Sequence, residues 1–261
     1  MPWSYRTLHN AWTARQVSCL NVVLEWWEKY GRNVRAAISR RVKTLTEKLP
    51  DSKFYRPHFS PWLGHGEFLS YLPTSHSVLT KPKLYHLYSL FMQSTTVLGD
   101  VVECGVYQGG TASMLARLIA DKAKNKHLHL FDTFTGIPVC DPDVDCHHVG
   151  DFGDTNLDQV KTGVGHADIV RYHVGIMPQT FTGLENVVVS FVHVDVDMYQ
   201  SYVDCLAFFW PRLSPGGIMV FDDYGHQNCP GARKAVDEFF ADKPEKAISL
   251  FDGQAFAIKL R

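Results

Sequence analysis

Val101-Val102-Glu103-Cys104-Gly105-Val106-Tyr107-Gln108-Gly109-Gly110-Thr111 runs from an apolar, β-type segment through a glycine turn into the helical pattern of Met114, Leu115, Leu118 and Ile119. Strand, glycine loop, helix is the order in which backbone N–H groups approach an extended adenosine-containing ligand with no side chain in the way. Val106-Tyr107-Gln108 separates Gly105 from Gly109-Gly110. That spacing departs from the dinucleotide fingerprint, so a pocket for S-adenosylmethionine (SAM) fits the loop better than a pyrophosphate clasp.

Downstream of this loop, strand-like and helix-like segments alternate. Strands are expected near 100–104, 127–132, 168–173, 188–196 and 215–222, and helices near 111–124, 155–162, 199–212 and 229–241. Such alternation predicts a largely parallel sheet covered on both faces. Ala247–Phe251 and Ala255–Leu260 flank Asp252-Gly253, a hairpin signal that adds antiparallel strands at the end of the sheet.

In open α/β sheets, ligands bind beyond the carboxyl ends of the strands, where strand order reverses. Asp132 closes the second strand, where an acid can accept both hydroxyls of a cofactor ribose; a turn cap is the other reading. Glu103 ends the first strand and could take the charged amino group of an amino-acid moiety. His193-Val194-Asp195-Val196-Asp197 and Val220-Phe221-Asp222-Asp223 then put two pairs of acids at two successive strand ends. A right-handed crossover through residues 199–212 makes those strands neighbours, about 4.8 Å apart, and their acids converge. Carboxylates so close raise one another's pKa unless a cation or proton sits among them. An all-oxygen set suits Mg2+. The histidines show neither HExxH nor cysteine-pair spacing, which speaks against zinc. A long polar loop, 133–154, carries Asp141, Asp143, Asp145, His147, His148 and Asp151, residues fit for substrate contact or for plain solvation.

With 26 Lys+Arg against 27 Asp+Glu, the chain has no global electrostatic footprint for nucleic acid. Its six cysteines contain no CxxC pair, which reads as reduced and cytoplasmic. Residues 16–27 are too short and too polar to span a bilayer, and nothing marks secretion. Residues 5–49 show helical spacing with a basic face, and 57–82 is aromatic and turn-rich, either a lid or an irregular cap. The expected division is an N-terminal helical and lid region over 1–82 and a catalytic domain over 83–261. Trp3, Trp12, Trp26 and Trp27 exceed what a small appendage needs for its own core, which predicts a homodimer or higher homo-oligomer.

ECGVYQGGTA, FDTFTGIP, HVDVDMYQSY and PGGIMVFDDYG resemble, in order and spacing, the TylF-type macrocin O-methyltransferases, over residues 99 to about 240. The resemblance implies a Rossmann-like class I SAM methyltransferase fold, with a mostly parallel seven-stranded sheet, an antiparallel C-terminal hairpin and an N-terminal helical appendage. It also implies a SAM- and Mg2+-dependent enzyme that methylates a sugar hydroxyl, on a deoxysugar of a glycosylated natural product or on a nucleotide-linked or polysaccharide sugar. Position by position, it implies that Asp195, Asp222 and Asp223 hold the metal and that Asp197 is the base. His226 is a rival base, an acceptor contact or a packing residue. Cofactor contacts are expected from Glu103, Gly105, Tyr107, Gly109, Thr111, Ser113, Asp132, Thr133, Phe134, Asp151 and Asp195. A Mg2+-dependent catechol or phenol O-methyltransferase is the main alternative. A nicotinamide oxidoreductase and a non-catalytic scaffold stand behind it, the former disfavoured by the glycine spacing and the latter by the clustered acids.

Overall fold

Val101, Val102 and Cys104 are all buried, as a strand covered on both faces requires. They belong to β1 (Asp100–Cys104) of a seven-stranded sheet in a computed structural model that describes residues 65–261. The other strands are β2 (Leu128–Asp132), β3 (Val170–Val174), β4 (Val189–Val194), β5 (Leu213–Phe221), β6 (Ile248–Ser249) and β7 (Ala255–Ile258). They lie in the order β3-β2-β1-β4-β5-β7-β6. Strands β1 to β5 are parallel; β7 runs antiparallel to β5 and to β6, as the Asp252-Gly253 turn predicts. The chain moves outward from β1 to β3, then crosses back to β4 and continues the other way. The reversal therefore lies between β1 and β4, whose register pairs Glu103 with His193.

Helices α1 (Gly66–Ser70), α2 (Lys81–Ser94), α3 (Gly110–Lys122), α4 (Leu157–Val164), α5 (Tyr199–Phe209) and α6 (Pro230–Phe240) complete the described residues. Two apolar clusters divide the interior. On one face Phe68, Leu87, Phe91, Leu115 and Leu118 pack on Val101, Leu130 and Phe191; on the other Tyr202, Phe209, Val236 and Phe240 pack on Val102, Val192 and Phe221. The switch from Val101 to Val102 is the two-residue period of a strand feeding both layers.

Helix boundaries follow local chemistry. Asn156 caps α4 by accepting from the Asp158 and Gln159 N–H groups, which moves its start past residue 155. The helix expected over 199–212 tightens at Phe209 into a 3-10 turn, Trp210–Arg212, where Pro211 offers no N–H to the preceding turn. Among the described residues no helix is long and apolar enough to cross a membrane. Expectations for residues 1–64, including the basic helix face and the tryptophan-rich surface, lie outside the described residues.

Candidate active site

β1 and β4 approach so closely at their carboxyl ends that only glycine fits between them. Gly105 has φ +84°, and a Cβ there would lie 1.7 Å from the carbonyl oxygen of Asp195. Backbone bonds fix this junction: the Gly105 N–H donates to the Phe131 carbonyl at 2.9 Å and the Asp195 N–H to the Cys104 carbonyl at 2.8 Å. Beyond Gly105 the loop bends onto β2. The Val106 and Tyr107 N–H groups donate to Asp132 Oδ2 at 2.7 and 2.9 Å, and the Phe134 N–H donates to Oδ1 at 2.7 Å. Asp132 thus ties the glycine loop to the second strand end while its oxygens line the cavity.

The two pairs of acids converge as the parallel β4–β5 pairing requires. Asp222 and Asp223 are buried, and Asp195 and Asp197 are partly buried. Asp223 Oδ2 accepts from the Asp197 N–H at 3.0 Å and from the Tyr202 hydroxyl at 3.1 Å. Asp222 Oδ1 accepts from Gln254 Nε2 at 2.7 Å, and Asp222 Oδ2 meets the Lys83 ammonium at 2.5 Å. Behind them His193 places Nδ1 3.0 Å from Glu103 Oε1 and Nε2 3.7 Å from Asp222 Oδ1. Glu103, Asp195, Asp222 and Asp223 therefore cluster about Lys83 and His193, and Asp197 adds a further acid beside Asp222 and Asp223.

That imbalance appears in the proton affinities. Burial pushes the Asp195 carboxyl well above the ordinary carboxylate range, and the Asp222 and Asp223 charges push it further. Burial likewise raises Asp223, helped by Asp197 and Asp222. Asp222 goes the other way: burial would raise it, but His193 and Lys83 together hold it at about 2. Burial opposes protonation of His193, yet Asp222 and Glu103 lift the imidazole to about 10. Glu103 is raised by burial, and its Oε2 is buried without a hydrogen-bond partner. The orphaned acceptor suits a cationic donor. Among the described residues, ligand atoms of His193, Asp195 and Asp222 lie within 4.8 Å of one another, close enough to share a cation, whereas Asp223 is not part of that group.

Asp197 holds an unusual backbone conformation, φ +59°. Its Oδ1 accepts from the Cys229 thiol at 3.2 Å and lies 3.6 Å from His147 Nε2. Burial raises its carboxyl, and the Cys229 hydrogen bond and the His147 charge oppose that rise. His226 is exposed, with Nδ1 3.5 Å from Cys229 Sγ.

One cavity of about 490 Å³ unites these groups. Of the residues singled out from sequence, Glu103, Gly105, Tyr107, Thr111, Asp132, Thr133, Asp195, Asp197, Asp222, Asp223 and His226 line it. Gly109, Ser113, Phe134 and Asp151 do not. At Gly109, the N-cap of α3, a Cβ would meet Val160 and Val164 at 3.0 and 3.1 Å, so its place is in helix packing. The Ser113 hydroxyl donates back to the Gly110 carbonyl, Phe134 is buried beside Tyr172, and Asp151 sits behind His147, 3.4 Å from its Nδ1. Lys83, His193, Cys229 and Gln254 were given no role in the site from sequence, and His147 was read only as part of a loop fit for substrate contact or solvation. Each reaches the acids across a large sequence separation, and only the clustered unpaired acids hinted that cations must lie nearby.

Comparisons with known proteins show the family and the fold. A family model described as macrocin O-methyltransferase (TylF) matches residues 72–255. The 8-demethyl-8-(2,3-dimethoxy-alpha-L-rhamnosyl)-tetracenomycin-C 4'-O-methyltransferase of Streptomyces olivaceus is 31% identical over 155 residues, covering 55% of this chain and 58% of the relative. The mycinamicin III 3''-O-methyltransferase of Micromonospora griseorubida is 31% identical over 159 residues, covering 55% and 61%. The matches thus span less than two thirds of these relatives' lengths. Among solved structures, the O-methyltransferase NovP has a TM-score of 0.58 at 24% identity, covering 68% of this chain and 81% of that one. A calicheamicin methyltransferase has a TM-score of 0.58 at 19% identity, covering 88% and 94%. The two share the fold described above.

Proposed function

The chain belongs to the macrocin O-methyltransferase family, and on that premise we propose that it moves a methyl group from SAM to a sugar hydroxyl of a glycosylated small molecule, aided by Mg2+. The observation that carries this reading is the single cavity that joins the glycine loop and Asp132 to Asp195, Asp197, Asp222 and Asp223. The relatives named above for rhamnosyl-tetracenomycin and mycinamicin methylation support a sugar-bearing acceptor.

SAM supplies an electrophilic methyl on a sulfonium. Asp132 is set to accept from a ribose hydroxyl with its remaining Oδ1 lone pair, while the others hold the glycine loop and Phe134. Glu103, with its orphaned Oε2, is set to take the ammonium of the amino-acid end. Asp195, Asp222 and Asp223 would hold a Mg2+, which would supply Lewis-acid activation of the acceptor hydroxyl. His193 and Lys83 keep Asp222 ionised, and Tyr202 and the Asp197 N–H orient Asp223. Asp197 removes the proton of the attacking hydroxyl, held at the cavity edge by its left-handed backbone. Apolar walls, Val78, Leu79, Ile137 and Met198 among them, limit water around the reacting atoms. The unpaired thiols Cys104, Cys140, Cys146, Cys205 and Cys229 support a reducing compartment, the cytoplasm, and the tryptophans of residues 1–27 support a homo-oligomer that sedimentation would test.

Calorimetric titration with S-adenosylhomocysteine in Mg2+, with NADH as control, tests the cofactor; labelled SAM with a rhamnosylated polyketide, a nucleotide-rhamnose and a catechol tests the acceptor. Saturable binding of the homocysteine compound alone and transfer to a sugar are expected. NADH binding alone, or transfer to the catechol alone, would overturn the reading. Asp197→Asn should bind S-adenosylhomocysteine normally and lose at least ~100-fold in turnover; unchanged turnover would remove Asp197 from the reaction.

A further inference from the structure

Three donor atoms of mixed type meet at the edge of the cavity, beside the carboxylate set but distinct from it. Cys229 Sγ lies 3.6 Å from His147 Nε2 and 3.2 Å from Asp197 Oδ1, and the last two are 3.6 Å apart. A tetrahedral zinc ion, with bonds of about 2.0–2.3 Å, separates its donors by roughly 3.3–3.6 Å. Two sides of the triangle, 3.6 Å each, fall within that range, and the Cys229–Asp197 side, 3.2 Å, is just short of it.

Its surroundings match those of a metal ligand set. Asp151 Oδ2, 3.4 Å from His147 Nδ1, orients the imidazole so that Nε2 faces the other two donors, the carboxylate behind histidine that tunes many zinc sites. Cys229 is the N-cap residue of α6, and burial with the Asp223 and Asp197 charges holds its thiol well above the ordinary range, so it meets an ion as the thiol and yields its proton only to the metal. His147 and Asp197 line the cavity, so an ion has a route in, and His226 Nδ1, 3.5 Å from the same sulfur, or water can complete the shell. A sulfur donor selects against Mg2+ and for a thiophilic ion.

We propose that His147, Asp197 and Cys229 form a capture site for a zinc-class divalent cation, separate from Asp195, Asp222 and Asp223, and that its occupancy withholds Asp197 from catalysis. Capture replaces the thiol proton: the Cys229 sulfur–metal bond forms as the S–H bond breaks, and the proton leaves to solvent. The inhibitory consequence rests on the reading of Asp197 as base; the capture itself does not.

Co2+ is the probe, added to the full chain in excess Mg2+. A thiolate-to-cobalt charge-transfer band should grow to one equivalent, survive further Mg2+ and vanish when Zn2+ is added. It should be absent in Cys229→Ser, and His147→Ala and Asp151→Asn should each weaken Co2+ binding by about 10-fold or more. No band in the parent protein, a band unchanged in Cys229→Ser, or one erased by Mg2+ would overturn the site. In the methyl-transfer assay Zn2+ should inhibit the parent enzyme at least ~10-fold more strongly than Cys229→Ser. A band at Cys229 without inhibition would leave the site standing and overturn the role given to Asp197.

Discussion

Replacing Gly105 by alanine tests the geometry on which the site depends. The new Cβ would begin 1.7 Å from the Asp195 carbonyl oxygen, so the ends of β1 and β4 must part by more than an ångström. That movement stretches the bonds from the Gly105 N–H to Phe131 and from the Asp195 N–H to Cys104, now 2.9 and 2.8 Å. Losing both costs about 2 kcal/mol, and holding alanine at positive φ adds about 1–2 kcal/mol. For a domain of this size the sum lowers Tm by roughly 10 °C. Gly150→Ala supplies the control, because Gly150 has φ +95° but nothing within 4 Å of a Cβ. It should show only the conformational part, a fall of a few °C. Differential scanning calorimetry measures both variants, and S-adenosylhomocysteine titration should show weakened binding for Gly105→Ala alone. If the two variants melt within about 2 °C of each other, the close approach of β1 and β4 does not govern this junction.

Lys83→Met leaves Asp222 buried without its ammonium, a loss of about 3 kcal/mol in metal-free buffer. The extra negative charge should also make Mg2+ raise Tm more than in the parent, and an equal or smaller gain would count against Asp222 as a metal ligand. His173, packed on Phe131, gives a pH signature: burial and His129 hold its imidazole at about 4 against an ordinary 6.5. Between those values the unfolded chain binds the proton and the folded chain does not, so stability is intact above 6.5 and declines as pH falls towards 4. His173→Phe should flatten that part of the Tm–pH curve, and an unchanged slope would assign the loss to other groups.

Most of the fold was legible because its signals are local. The run into Gly105, the two acid-tipped strands and the Asp252-Gly253 turn each lie within a few residues, and the rule for parallel crossovers turned them into neighbours. The cofactor loop was read less sharply. Thr111 faces the cavity and Ser113, two residues on, faces the helix interior, because a helix turns about 100° per residue while proximity in sequence does not. The cations were beyond local reading. Lys83 comes from a helix before the sheet, and His147 from a loop whose polarity equally fits solvation; only packing against β5 and α6 distinguishes them from surface residues.

The left-handed backbone at Asp197 sets two pressures on one codon. Glycine would adopt φ +59° freely and remove a charge from a crowded set of acids, relieving strain of the order of 1–2 kcal/mol. A library sorted for heat tolerance should therefore enrich Asp197→Gly, while the same library sorted for methyl transfer should discard it. Sequencing both pools would read the position as faulty engineering in one and as indispensable in the other, and that divergence locates where folding has yielded to chemistry.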